Sequence, residues 1–164
     1  MPRGNEAVSL TSRALDEVSF DMTGRKVRSD SEGDGKFAAS RGLRPHYGID
    51  YEFFVDEPVP SPVTGRVKRI GHCYDDDLSY RLIEIITHNK KAIVRLLYVS
   101  PQVAEGDFVT AGDIVGLAQN ISRRYSRHMK NHVHCEVFID PAILKGGSNE
   151  TIPDPDVAGG GLSV

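Results

Sequence analysis

The sequence has no tryptophan, only two cysteines, and no apolar run near the roughly 20 residues a membrane-spanning helix needs. Two cysteines are too few for a disulfide framework, and Cys73 and Cys135 do not form a C-x-x-C pair. Two reduced thiols are therefore expected. Excess charge of one sign is lacking as well: 20 basic residues stand against 23 acidic ones, a net charge of −3. No polybasic footprint points to nucleic acid as a partner, and none to a membrane surface. The start, Met1 to Glu6, carries no apolar stretch of the secretory kind, so a chain made in the cytoplasm without that export route is expected. What is present is 39% hydrophobic and 26% charged residues in a chain of 164, enough for one modest core and too apolar for a disordered chain.

Glycine (16) and proline (9) are plentiful and fall between short apolar runs, which favours strands joined by tight turns. Residues 1–36 are polar and irregular, with a weak helical pattern from Leu10 to Val18, and are assigned to an N-terminal extension. From Phe37 the character changes. A strand is expected over Tyr47–Phe54, and a Pro/Gly-punctuated turn from Pro60 leads into a strand ending near Ile70. Arg81–Thr87 and Ala92–Val99 are β-branched runs joined by His88–Lys91, a hairpin signature. Two short strands are expected between Asp107 and Gly116, and a last alternating strand over His132–Ile139. About seven short strands with close turns predict an all-β sandwich or barrel over residues 37–144. Residues 145–164 are rich in Gly, Pro and polar side chains and are expected to form a flexible C-terminal arm.

The histidines carry the candidate chemistry. His46 and Asp50 are four apart and, on a strand, would face the same way. His132 and His134 are two apart and share a face by the same rule, while Val133 and Cys135 face away. Imidazole nitrogens and a carboxylate oxygen suit Zn²⁺, and three protein ligands with an open fourth position make a catalytic zinc arrangement. Either pair alone arises often by chance, and a lone histidine is more often a surface or core residue than a ligand.

The flanking segments decide between those readings. His46-Tyr47-Gly48-Ile49-Asp50, Val59-Pro60-Ser61-Pro62-Val63-Thr64-Gly65-Arg66-Val67, the segment Gly106–Gly116 and His132-Val133-His134-Cys135-Glu136-Val137 occur in this order. Together they resemble the motifs of the lysostaphin-type zinc endopeptidases, the M23 family that includes the LytM-like cell-wall enzymes. The resemblance covers about residues 37–140. It implies an antiparallel β-fold with a groove, Zn²⁺ held by His46, Asp50 and His134, His132 as a catalytic side chain beside the metal, and a peptidoglycan peptide as substrate.

One position departs from the family pattern. Lining up His88 with the histidine of the family's hairpin turn places Tyr98 where a catalytic histidine would stand. A tyrosine can donate a neutral hydrogen bond but carries no positive charge, and losing one oxyanion donor can cost roughly 100–1000-fold in rate. The same exchange marks the leukocyte-derived chemotaxin branch, which this chain resembles around Val94–Val99 and His132–His134. That branch keeps the fold and zinc without evident peptidase activity.

Other residues have plainer expectations. His128 and the arginines 123, 124 and 127 read as a solvated basic loop, with an anion clamp as the alternative. His72 and Cys73 precede three aspartates, read as an acidic turn. Glu136 shares the face of His134 and would orient its imidazole. The expected function is recognition, with slow cleavage where activity survives, of peptidoglycan cross-bridge peptides. A bacteriophage tail, where the chain would meet other virion proteins, is the expected setting, with action at the cell wall. The alternative is a catalytically inactive, zinc-stabilised structural or binding module.

Overall fold

The computed structural model describes Met22 and residues 24–36, 40–41, 44–45 and 48–139. His46, the helical pattern at Leu10–Val18, the arm at 145–164, and with these termini any packing in a tail, lie outside the described residues.

The strands are β1 (Ser29–Asp30), β2 (Gly33–Asp34), β3 (Ser40–Arg41), β4 (Arg44–Pro45), β5 (Ile49–Glu52), β6 (Pro58–Pro60), β7 (Gly65–His72), β8 (Arg81–Thr87), β9 (Ala92–Leu97), β10 (Val99–Pro101), β11 (Phe108–Val109), β12 (Ile114–Ala118) and β13 (His132–Ile139). A single-turn helix, α1 (Ser122–Tyr125), interrupts the segment before β13. Six strands form the main antiparallel sheet in the order β11-β7-β8-β9-β13-β5, and β10-β12-β6 form a second sheet. The all-β, antiparallel expectation holds.

Alternation along the strands builds the core between the two sheets. Val67, Ile83, Ile85, Val94, Leu96, Val133 and Cys135 point from the main sheet towards Val59, Val99, Val115 and Ala118 of the second. Each buried aliphatic side chain stabilises the fold by about 1.5–3 kcal/mol. The Pro/Gly turn closes tightly before β7, where a Cβ on Gly65 would stand 2.0 Å from the Ile86 carbonyl oxygen. Only glycine fits there. Cys73 and Cys135 are both buried and are not bridged to each other, and burial pushes the Cys135 thiol up to about 12.

One strand expectation is corrected. The run Ala92–Val99 is not one strand: Tyr98 takes a left-handed backbone (φ 68°) and breaks it into β9 and β10, which belong to different sheets. Its amide donates to Arg81 O and its carbonyl accepts from Gln119 N, so the turn is held from both sides. A bulky residue in this region is strained, and such strain persists only where surrounding bonds enforce it. Met22 and residues 24–36, which the sequence assigns to the N-terminal extension, make contacts with the sheet. Met22 is in the core, Val27 bridges to Tyr51, and Arg28 is fully buried. The upstream segment packs on the outer edge of β5, with Arg28 N donating to Asp50 O and Asp50 N to Gly35 O.

Candidate metal centre

The second face of the main sheet carries the polar residues. On β13, His132, His134 and Glu136 point to it, as the two-residue period requires, and all three are buried. Asp50 of β5 is the direct cross-strand partner of His134, so the carboxylate and imidazole meet without help from any loop. His134 Nδ1 lies 2.7 Å from Asp50 Oδ1, and His134 Nε2 lies 3.0 Å from Glu136 Oε1. The ring is thus gripped on both edges by carboxylates. A Cβ on Gly48 would stand 2.7 Å from His134 Nε2 and 2.5 Å from the Cys135 carbonyl oxygen. The glycine of the H-x-G-x-D segment is there because the imidazole occupies that space.

Burial opposes charge on His134, but the hydrogen bonds to Asp50 and Glu136 outweigh it and push its pKa up to about 9. His132 goes the other way. Burial pulls its pKa down to about 4, so it is neutral near pH 7. Its Nδ1–H donates to the Lys130 carbonyl (2.8 Å), which leaves the Nε2 lone pair facing Asp50 Oδ2 at 3.7 Å. That Nε2 is buried and, among the described residues, has no hydrogen-bond partner. A lone pair opposite a carboxylate is an arrangement that a cation or proton donor completes.

Arg28 is a surrounding residue that no motif or spacing had singled out. Its Nε donates to Asp50 Oδ2 (3.1 Å) and its Nη1 to both oxygens of Asp30 (2.9 and 3.0 Å). One oxygen of Asp50 is thereby occupied, and Oδ1 is the one turned to His134.

Tyr98 is brought beside His132, the two rings meeting edge to face with centroids 5.7 Å apart. It is buried in a cluster with Cys73, Tyr74, Tyr80, Leu82, Leu97 and Ile121. Its hydroxyl accepts from Tyr74 (3.1 Å), which in turn is 2.7 Å from the hydroxyl of the exposed Tyr125. Burial, with Tyr74 alongside, raises the Tyr98 phenol well above its ordinary value. His128 is exposed and contacts Arg127. Arg124 lies over the Tyr74 ring (3.8 Å) and pairs with Asp76, so it braces the tyrosines. His72 bonds to the Leu78 carbonyl within the acidic turn.

Among the described residues no group of three or more His, Cys, Asp or Glu side chains is arranged to hold a metal ion, and the expected third ligand, His46, lies outside them. The donor chemistry of the pair that is described nevertheless fits zinc. With Glu136 as acceptor for Nε2–H, a neutral His134 turns its Nδ1 lone pair towards Asp50 Oδ1, and a second-layer carboxylate of this kind is the usual support of a metal-bound histidine.

Fold and site together define an antiparallel β-sheet domain with its polar constellation on one sheet face. The chain belongs to peptidase family M23, whose model matches residues 44–145, well over half its length. Its fold is similar to lysostaphin, a peptidase from Staphylococcus simulans, at 24% identity and TM-score 0.54 over 84% of this chain and 54% of that one. LytU matches at 25% identity and TM-score 0.53 over 83% of this chain and 88% of that one. A mutant catalytic domain of EnpA, a prophage-encoded M23 protein of Enterococcus faecalis, matches at 24% identity and TM-score 0.51 over 82% of this chain and 92% of that one. This chain spans about half the length of the lysostaphin it matches (54%). No curated protein sequence matches it.

Proposed function

We propose that this chain is a zinc-binding M23 domain that recognises peptidoglycan cross-bridge peptides and cleaves them slowly or not at all. The observation that carries the reading is the cross-strand pair of Asp50 and His134, 2.7 Å apart, with the buried Nε2 of His132 facing it. His46, Asp50 and His134 would hold the ion. Zinc there supplies Lewis-acid chemistry, polarising a peptide carbonyl and lowering the pKa of a water.

The remaining steps fall to the chain's own side chains. His132 is neutral and oriented by Lys130, so its Nε2 is ready to take a proton from an attacking water. Once protonated, it becomes a donor to the oxyanion. Tyr98 accepts from Tyr74 and so keeps its own hydroxyl proton for an oxygen next to His132. It is a weaker donor than a histidine cation, and slow turnover follows. The complete burial of Tyr98 and its ties to Tyr74 favour a second reading, a zinc-stabilised binding module without turnover.

The test has two parts. Metal analysis after exchange into metal-free buffer is expected to find one zinc per chain, and His134→Ala to lose it; full occupancy in that variant refutes the ligand assignment. Release of new amino termini from purified peptidoglycan is then compared for the parent, Tyr98→His and His132→Ala. The expected order is Tyr98→His above the parent, and the parent at or above His132→Ala. Brisk cleavage by the parent that Tyr98→Phe leaves untouched would remove Tyr98 from the machinery.

A further inference from the structure

We propose that Arg95 is a positioning residue for the metal centre, acting through a row of alternating charges that crosses four strands and is buried from Glu84 to Glu136; this rests on the zinc reading above. The row follows directly from the register. Arg69 of β7 pairs with Glu84 of β8, Glu84 with Arg95 of β9, and Arg95 with Glu136 of β13. The side chains lie on the face that carries His134, one register step beyond it.

The contacts are continuous. Arg69 Nε and Nη2 reach the two oxygens of Glu84 at 3.2 Å each. Arg95 grips Glu84 Oε1 with Nε (2.9 Å) and with Nη2. Its third nitrogen, Nη1, faces Glu136 Oε2 at 3.5 Å, and Glu136 Oε1 then reaches His134 Nε2 at 3.0 Å. Arg95, Glu84 and Glu136 retain only 1%, 5% and 4% of their exposure.

The weakest link is the informative one. Arg95 Nη1 and Glu136 Oε2 are both buried, and among the described residues neither has a hydrogen-bond partner. Glu136 is therefore held on one side by His134 and on the other by the charge of Arg95. The guanidinium itself is fixed by Glu84 and by the Phe138 ring, 5.1 Å from its centre. Without that charge, Glu136 would have no buried cation to oppose it except His134, and the ring would follow the carboxylate.

Stability alone does not call for such a row, because apolar residues of similar size fill an interior at least as well as buried ion pairs do. Four charges in cross-strand register do what apolar side chains cannot. They set one carboxylate at one angle against an imidazole edge, and thereby aim the opposite nitrogen, Nδ1, at Asp50.

The experiment compares Arg95→Met, Arg95→Lys, Glu136→Gln and the double variant Arg95→Met/Glu136→Gln with the parent. Val94→Ala, on the opposite face of β9, serves as a control for loss of packing. Zinc affinity is read by chelator competition, and the His134 Nε2–H resonance by NMR of ¹⁵N-histidine-labelled, metal-free protein. Arg95→Met and Glu136→Gln are each expected to weaken zinc binding by about 10–100-fold. The double variant should be no worse than the weaker single one, as for two members of one chain of contacts. Arg95→Lys should recover most of the loss, and Val94→Ala should leave affinity unchanged. The Nε2–H resonance should shift or disappear in Arg95→Met.

A folded Arg95→Met with parental affinity and an unmoved resonance overturns the proposal. So does a Val94→Ala that loses as much affinity as Arg95→Met. Should Arg95→Met fail to fold, Glu84→Gln loosens the same guanidinium and must shift the resonance in the same direction, or the proposal falls. A parent that binds no zinc refutes the zinc reading, while the resonance still tests the row.

Discussion

The two faces of the main sheet are built from the same strands and are both buried, yet they work by opposite rules. One face, with Ile83, Ile85, Val94, Leu96 and Val133, meets only carbon, and any side chain of similar volume would serve it. The other, with Glu84, Arg95, His132, His134 and Glu136, is equally dry but charged, and there each group needs a particular partner at a particular angle. Burial on the first face is a source of stability. On the second it is a source of directional constraint, which is what a metal centre requires.

Three changes would break or sharpen that contrast. The largest effect is expected at Arg28, whose removal as Arg28→Met takes away the buried guanidinium shared by Asp50 and Asp30. A loss of about 3–5 kcal/mol is expected in urea unfolding, because breaking a buried pair exposes the full cost of the charge left behind. If the loss is under about 1 kcal/mol, the polar face tolerates unpaired charge and the contrast fails.

Next is Leu96→Ala on the apolar face. It should cost about 2–5 kcal/mol through lost contacts and a cavity, with zinc stoichiometry of the folded fraction unchanged. A change in stoichiometry would mean that the two faces are not separable.

The smallest effect is a change of pH profile in Glu84→Gln. The hydrogen bonds from Arg69 and Arg95 outweigh burial and hold the Glu84 carboxyl below its ordinary value of 4.5. A depressed carboxyl contributes stability that is fully present above its unfolded value and is lost as pH falls through the folded one. Thermal melts between about pH 3 and 6 should therefore show the parent losing stability more steeply towards acid than Glu84→Gln. Parallel profiles would show that the row does not hold its charge as described.

Much of this was legible in the sequence, for reasons particular residues make plain. The β-branched run Arg81–Thr87 and the alternation of His132–Ile139 gave two of the strands, and the latter gave the shared face of His132 and His134. The order of motifs gave the family, which the match over residues 44–145 bears out. Glu84 and Arg95 each stand alone within an apolar run, a visible sign of a buried charge with a partner. The partner itself was not visible, because cross-strand register is a relation between segments and a slip of one residue would turn either side chain to the other face. The break in the strand at Tyr98 was not legible, since a left-handed backbone at a tyrosine has no signature in composition. Arg28 was out of reach altogether. Its segment reads as polar loop, and only its docking against β5 turns a surface arginine into a buried one.

That docking also bears on how a peptide approaches the centre. An edge strand with open backbone groups invites an extended chain to pair with it and continue the sheet, a common way for β-proteins to capture peptides. Here the outward amides of Asp50 and Glu52 donate to Gly35 and Lys26, and the Asp50 carbonyl accepts from Arg28. The strand that carries Asp50 is already spoken for along its rim. On the function proposed above, a peptide is therefore not captured by strand addition at β5.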